Sequence, residues 1–144
     1  MDWVLDIVFD RNGKAWIATG GGLWSYDGVA WRSHRDLNLT GWTSCVAVEE
    51  NGCVWMGAGG SGLKRFDGNA IATVAETDGL ADNDVRDLLT DGDGVLWAGT
   101  ANGLSRFDGK NWKTFLVPGE EPHFLWNMAV DLAGVRWYVP GNTG

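Results

Sequence analysis

Asp91-Gly92-Asp93-Gly94-Val95-Leu96-Trp97-Ala98-Gly99-Thr100-Ala101-Asn102-Gly103-Leu104 is the stretch whose reading governs the fold. Its tryptophan has counterparts at Trp16, Trp55 and Trp137, giving spacings of 39, 42 and 40 residues. Three residues before each stands a glycine: Gly13, Gly52, Gly94 and Gly134. Six residues before each stands an acid: Asp10, Glu49, Asp91 and Asp131. Behind the first three tryptophans come Gly22-Leu23, Gly62-Leu63 and Gly103-Leu104, then Asp27-Gly28, Asp67-Gly68 and Asp108-Gly109. Chance does not keep five features in step over three periods.

Each feature has a local cause. An acid at the first turn position and glycine at the fourth suit a type I turn whose carboxylate caps backbone N–H groups. Asp-Gly between short strands predicts a type I′ hairpin, which needs positive φ at both central residues. The segments between turns are rich in β-branched and aromatic residues, as at Val4–Phe9, Ala15–Thr19, Leu23–Tyr26 and Ala30–Ser33. No helical pattern competes with them. Ala-Trp-Ile-Ala, Val-Trp-Met-Gly and Leu-Trp-Ala-Gly lack polar alternation, which predicts a second strand packed on both faces. Four antiparallel strands in about 40 residues is the period of a propeller blade. The expected fold is all-β, a partial β-propeller of about three and a half four-stranded antiparallel blades. The blades should span 3–35, 42–75 and 84–116, with an incomplete one at 124–144. The expected strands number 14.

The run Asp78-Gly79-Leu80-Ala81-Asp82-Asn83-Asp84-Val85, continued by Asp91, Gly94, Leu96-Trp97-Ala98-Gly99-Thr100, Asn102-Gly103-Leu104, Phe107-Asp108-Gly109 and Trp112, closely resembles the two-component regulator propeller repeat. The first repeat follows the pattern from Asp10 to Trp31 and the second more loosely, with one extra residue in its Gly-rich turn and Ile71 in place of Trp31 and Trp112. The resemblance implies a periplasmic ligand-sensing segment of a bacterial hybrid sensor kinase, in a family that commonly senses carbohydrate. No signal peptide opens the chain, so a cytoplasmic start and a piece of a longer protein both stay open. The connections Arg35–Trp42 and Pro118–Phe124 lack the Gly-Leu-x-x-Asn signature of Gly79–Asn83.

The formal net charge of −8 disfavours nucleic acid and anionic membrane surfaces as partners. No apolar run is long enough to span a bilayer. Cys45 and Cys53 lack the companions of a zinc set and read as two small buried residues. If Val48 pairs with Cys53, Cys45 falls on the opposite face and no disulfide forms. Asp91-Gly92-Asp93-Gly94 lacks the further acids of a calcium loop, so no metal and no cofactor are expected. His34 and His123 read as solvated loop histidines, and no nucleophile or phosphate-loop motif accompanies them.

Seven residues before the turn acids stand Trp3, Trp42, Asp84 and Phe124, at the entrance to the innermost strand. These aromatics either face a ligand or fill the core between blades. On the ligand reading, Trp42 and Trp126 stack on a small molecule or sugar, and Arg35, Asn38, Asn83, Arg86, Asn127 and His123 supply polar contacts. The leading functional expectation is therefore non-enzymatic ligand binding. A propeller lyase or glycan hydrolase is one alternative, and a self-associating scaffold is another. A part-propeller leaves exposed sheet faces, so a homo-oligomer such as a dimer, or the remainder of a larger propeller, is the expected partner.

Overall fold

A computed structural model describes residues 3–35, 41–115, 125–131 and 133–140; the side chains of residues 126 and 138–140 are outside that description. The first blade holds β1 (Val4–Phe9), β2 (Ala15–Thr19), β3 (Gly22–Tyr26) and β4 (Trp31–Ser33). The second holds β5 (Val46–Val48), β6 (Val54–Gly57), β7 (Leu63–Phe66) and β8 (Ile71–Val74). The third holds β9 (Val85–Thr90), β10 (Leu96–Thr100), β11 (Gly103–Phe107) and β12 (Trp112–Phe115). β13 (Leu125–Val130) and β14 (Arg136–Pro140) form a two-stranded fourth sheet. All pairings join consecutive strands and are antiparallel. The one other regular element among the described residues is a 3₁₀ turn at Glu76–Asp78, which leads from the second blade into the third.

The repeated turn folds as its chemistry demands. Asp10 Oδ1 accepts from the N–H groups of Asn12 and Lys14, Asp91 Oδ1 from Asp93 and Val95, and Asp131 Oδ1 from Ala133 and Val135. Glu49 is one methylene longer and leaves this role to Asn51, whose side chain accepts from the Cys53 N–H. The six-residue offset to tryptophan has its own cause. The second carboxylate oxygen accepts the indole N–H, from Trp97 at 2.8 Å, Trp55 at 2.9 Å and Trp137 at 3.2 Å. Trp16 departs: the Lys14 ammonium lies 4.1 Å over its ring.

The Asp-Gly hairpins correct one expectation. Asp27 pairs with Ala30, so the central residues are Gly28 and Val29 rather than Asp and Gly. Gly28, Gly68 and Gly109, with φ of 95°, 100° and 94°, occupy the first central position, the place of glycine in a type II′ turn. Each aspartate flanks the turn, accepting the next two free N–H groups, as Asp27 Oδ1 does from Val29 and Ala30.

The core lies between sheets. β2, β6 and β10 are buried throughout, while β4 and β12 are mostly exposed and β8 is exposed at its two middle residues. One cluster joins Trp16, Ala18 and Leu23 to Val46, Val54, Met56 and Phe66; the next joins Ala47, Trp55 and Leu63 to Val85, Leu88 and Leu96. First strands touch in order, β1 on β5, β5 on β9, and β9 on β13.

Two further readings change. Val48 pairs with Val54, not Cys53, and Glu49 opposes Cys53. Cys45 and Cys53 therefore share a face, yet both are free, because they stand at opposite ends of the β5–β6 hairpin, about 13 Å apart at strand rise. His34 is not solvated: it is 1% exposed, its Nε2 is 2.9 Å from Ser25 Oγ, and its ring lies between Trp16 and Phe66. His123 is outside the described residues, as are Asn38 and Phe124.

Candidate functional site at the blade axis

Three of the four first strands carry a shared irregularity. Val4 pairs with Thr19 but Asp6 with Ala18, leaving Leu5 as an extra residue. Val85 pairs with Thr100 but Asp87 with Gly99, leaving Arg86. Leu125 pairs with Pro140 but Asn127 with Val139, leaving Trp126. Each extra residue stands five positions before its turn acid, and Ser44 holds that position in the second blade. A bulge re-aims the side chain it carries and is a device used beside functional sites.

The bulge residues Leu5 and Arg86 and the equivalent Ser44 of the second blade meet at one hollow of about 350 Å3, lined also by Trp42, Gly59, Asp84 and Val85. Trp42 is 50% exposed, and Trp3 is more exposed still, so neither fills the core between blades. The Thr43 N–H bonds Thr19 O at 3.0 Å, which anchors Trp42 to the first blade. Gly59 lies against Trp42: a Cβ there would stand 3.0 Å from the Trp42 carbonyl oxygen. Ser44 Oγ donates to Val85 O at 2.7 Å across the seam, and Gly57 leaves it room, since a Cβ on Gly57 would sit 2.3 Å from that hydroxyl. Arg86 directs Nε and Nη2 at Asp84 Oδ2, at 3.2 and 2.8 Å.

Of the residues expected at a site, Trp42 and Arg86 are brought together. Trp126 takes the matching bulge of the fourth sheet, and Asn127 follows it, exposed. Asn83 serves the scaffold, exchanging hydrogen bonds with Glu76: its Oδ1 accepts the Glu76 N–H and its own N–H reaches Glu76 Oε1, both at 3.0 Å. Arg35 donates from Nε to Gly21 O, within the first blade. Leu5 and Ser44 were missed, because their shared place in the repeat has no residue-type signature.

A larger hollow of about 800 Å3 runs between the second and third blades, past Glu49, Arg65, Asp93 and Trp112. Its polar groups hold the blade together. Glu49 accepts from Trp55, Asn51 and Arg65. Burial works to raise its pKa, but these donors outweigh burial and hold the carboxyl below its usual range.

Beneath the bulges lies a ring of first-strand residues, Asp6, Cys45, Asp87 and Asn127, each four before its turn acid. Asp6 Oδ2 accepts the Val46 N–H at 2.9 Å, and Asp87 Oδ2 accepts the Met128 N–H, so each carboxylate clasps the next blade. Burial pushes the Cys45 thiol up to about 12, against a Ser44 hydrogen bond, with Asp87 and Asp6 adding to the rise. It stays protonated and is no nucleophile at neutral pH. Burial also raises Asp87 to about 6, against the Met128 and Leu88 N–H groups, and Asp6 adds repulsion.

This fixes the sign of a pH effect. Below the unfolded value of 3.8 both states hold the proton; as pH climbs through 6 the folded state must carry a buried charge and loses stability. Asp87→Asn, the isostere already present as Asn127, should remove that loss. The variant should gain about 1–2 kcal/mol on wild type between about pH 4 and pH 7, discounted for partial exposure. Urea titrations across that range check this, and parallel curves would refute it.

Comparison with known proteins agrees with this architecture. Residues 79–102 match the two component regulator propeller family. The photosystem II assembly lipoprotein Ycf48 of Synechococcus sp. (strain CC9605) is 28% identical over 130 residues, covering 84% of this chain and 37% of that protein. The extracellular domain assigned to the hybrid two component system BT3049 of B. thetaiotaomicron superposes with a TM-score of 0.72 at 22% identity, over 94% of this chain and 20% of that one. Virginiamycin B lyase from Staphylococcus aureus gives 0.71 at 13% identity, over 95% of this chain and 48% of the enzyme. The chain thus spans about half or less of the length of each of these, and the solved structures establish the propeller fold. With four sheets in blade order, the chain is a β-propeller segment, and residues 79–102 of its third blade match the two component regulator propeller model.

Proposed function

We infer that this chain is a non-enzymatic ligand-binding segment of a bacterial two-component sensor-like protein, working in the periplasm on a ligand of the carbohydrate class. The observation that carries the reading is the convergence of the bulge residues Leu5 and Arg86, with Ser44 between them, on the axial hollow beside Trp42. A half-exposed indole offers an apolar plane to the C–H face of a sugar ring. Arg86 is offset by Asp84, so the pair suits an uncharged polar ligand better than an anion. Similarity to extracellular domains of two component systems supports the placement outside the cytoplasm.

Isothermal titration against neutral and acidic oligosaccharides tests it. A neutral oligosaccharide should bind, and Trp42→Ala should weaken it about tenfold or more, the loss of roughly 1.4 kcal/mol. Trp3→Ala, which lies outside the hollow, should leave affinity unchanged. Equal binding by the Trp42 variant, or no binding across the panel, removes the reading. Consumption of the sugar, followed by NMR, would place the chain among enzymes instead.

A further inference from the structure

At the seam between the second and third blades, the second-strand tryptophan faces the following blade and is received by that blade's third- and fourth-strand aromatics. Trp55 stands edge-on to Phe107 at 5.3 Å and to Trp112 at 5.6 Å, and those two rings are themselves stacked at 5.0 Å with 28° between planes. The first blade carries the same receiving pair. Tyr26 and Trp31 stack at 4.8 Å and 28°, with nothing among the described residues in front of them, and Trp31 is 55% exposed. The fourth sheet carries the matching insert. Trp137 occupies the repeat position of Trp55, which is 1% exposed, yet is itself 62% exposed. Ile7 and Phe9 repeat the pattern: they match Val46 and Val48, which face the preceding blade, and they are 52% and 67% exposed.

We propose that these two faces are the halves of one seam, and that Trp137 of one copy of this chain docks edge-on against Tyr26 and Trp31 of a second copy, in a head-to-tail pair. Both complementary parts lie on the same chain, and the contact repeats the interface formed between its second and third blades. Rotation about the propeller axis lets the second seam close the first, placing eight sheets, twice the four of one chain, in a ring. Closed propellers hold about four to eight blades.

The axial ring fits this order. Val46 and Met128 give their N–H to a carboxylate of the preceding blade. Leu88 follows Cys45 instead and gives its N–H to its own Asp87. Ile7 likewise gives its N–H to its own Asp6, at 2.8 Å. A blade so arranged accepts an uncharged residue at this position in the blade before it, and the fourth sheet presents Asn127. An aspartate there would set a second carboxylate against Asp6.

Light scattering from about 100 µM down to about 0.1 µM tests the proposal. The expected result is a discrete species near twice the 15.6 kDa chain, dissociating on dilution. Trp137→Asp and Trp31→Asp change exposed residues, one on each face, and circular dichroism should show both still folded. Each alone should be monomeric at the highest concentration, its dimer weakened at least 100-fold. Mixed in equal amounts they should pair, because one intact seam remains between them; a like-to-like interface cannot show this rescue. Wild type monomeric throughout would overturn the proposal, as would a mass that climbs without limit, a Trp137→Asp chain that dimerises like wild type, or a mixture that stays monomeric. The first of these would leave the faces to blades of another chain segment. Ligand binding by monomeric variants is measured separately at Trp42, so the two readings fail independently.

Discussion

Trp55→Ala should cost about 4 kcal/mol of folding stability, while Trp137→Ala, at the same place in its repeat, should cost under about 1 kcal/mol in dilute solution. Trp55 is sealed between two sheets, touches two rings of the next blade, and gives its indole N–H to Glu49. Its removal opens a cavity that neighbouring sheets cannot collapse into, because their backbones are held by their own ladders. It also strips Glu49 of a donor, leaving a half-buried carboxylate less well served. Trp137 is 62% exposed, with no sheet over it among the described residues, so its loss uncovers little. Single domains hold about 5–15 kcal/mol in total, so the first change brings the chain close to unfolding. Urea titration of both variants measures the difference; similar losses would show that inter-blade burial is not what stabilises the fold.

Gly62→Ala should be the most damaging of the glycine changes, at about 3 kcal/mol or more, against about 1 kcal/mol for Gly28→Ala. Both glycines have positive φ, 80° and 95°, so alanine is strained at either. Only Gly62 is also crowded. A Cβ there would stand 2.2 Å from the Val74 carbonyl oxygen, which belongs to backbone and cannot swing away. Gly62 further ties blades together, giving its N–H to Asn83 O at 2.9 Å. Gly28 has open space around it. Thermal melts separate the two, and a Gly62 variant as stable as the Gly28 one would mean that this turn relaxes freely.

The extra residue between Trp55 and Leu63 has its explanation in the same turn. Gly59 and Gly60 both take positive φ there, and Gly59 supports Trp42 at the hollow. That insertion was visible in the sequence, but its purpose was not, since Trp42 lies in a different part of the repeat. His34 teaches the opposite lesson. Its place after a short strand suggested solvent, but Phe66 of the next blade covers it. The reading of Cys45 reached the right outcome through the wrong register: one residue of slip moved it to the other face, and separation along the hairpin kept the thiols apart.

The sequence by itself determined the period, the four strands of each full blade and their order. Those follow from contacts within a few residues: a carboxylate caps its own turn, a glycine supplies positive φ, and an acid meets the tryptophan six residues on. Strands Val4–Phe9, Ala15–Thr19 and Leu125–Val130 were legible to the residue for this reason. Only the tertiary structure decided which tryptophan is sealed and which is bare, that Leu5, Ser44 and Arg86 share one hollow, and that Asp6 and Asp87 clasp the blade that follows. These depend on groups about 40 residues apart, brought together by sheet stacking, and a repeat that looks the same at every turn carries no mark of which neighbour will stand beside it.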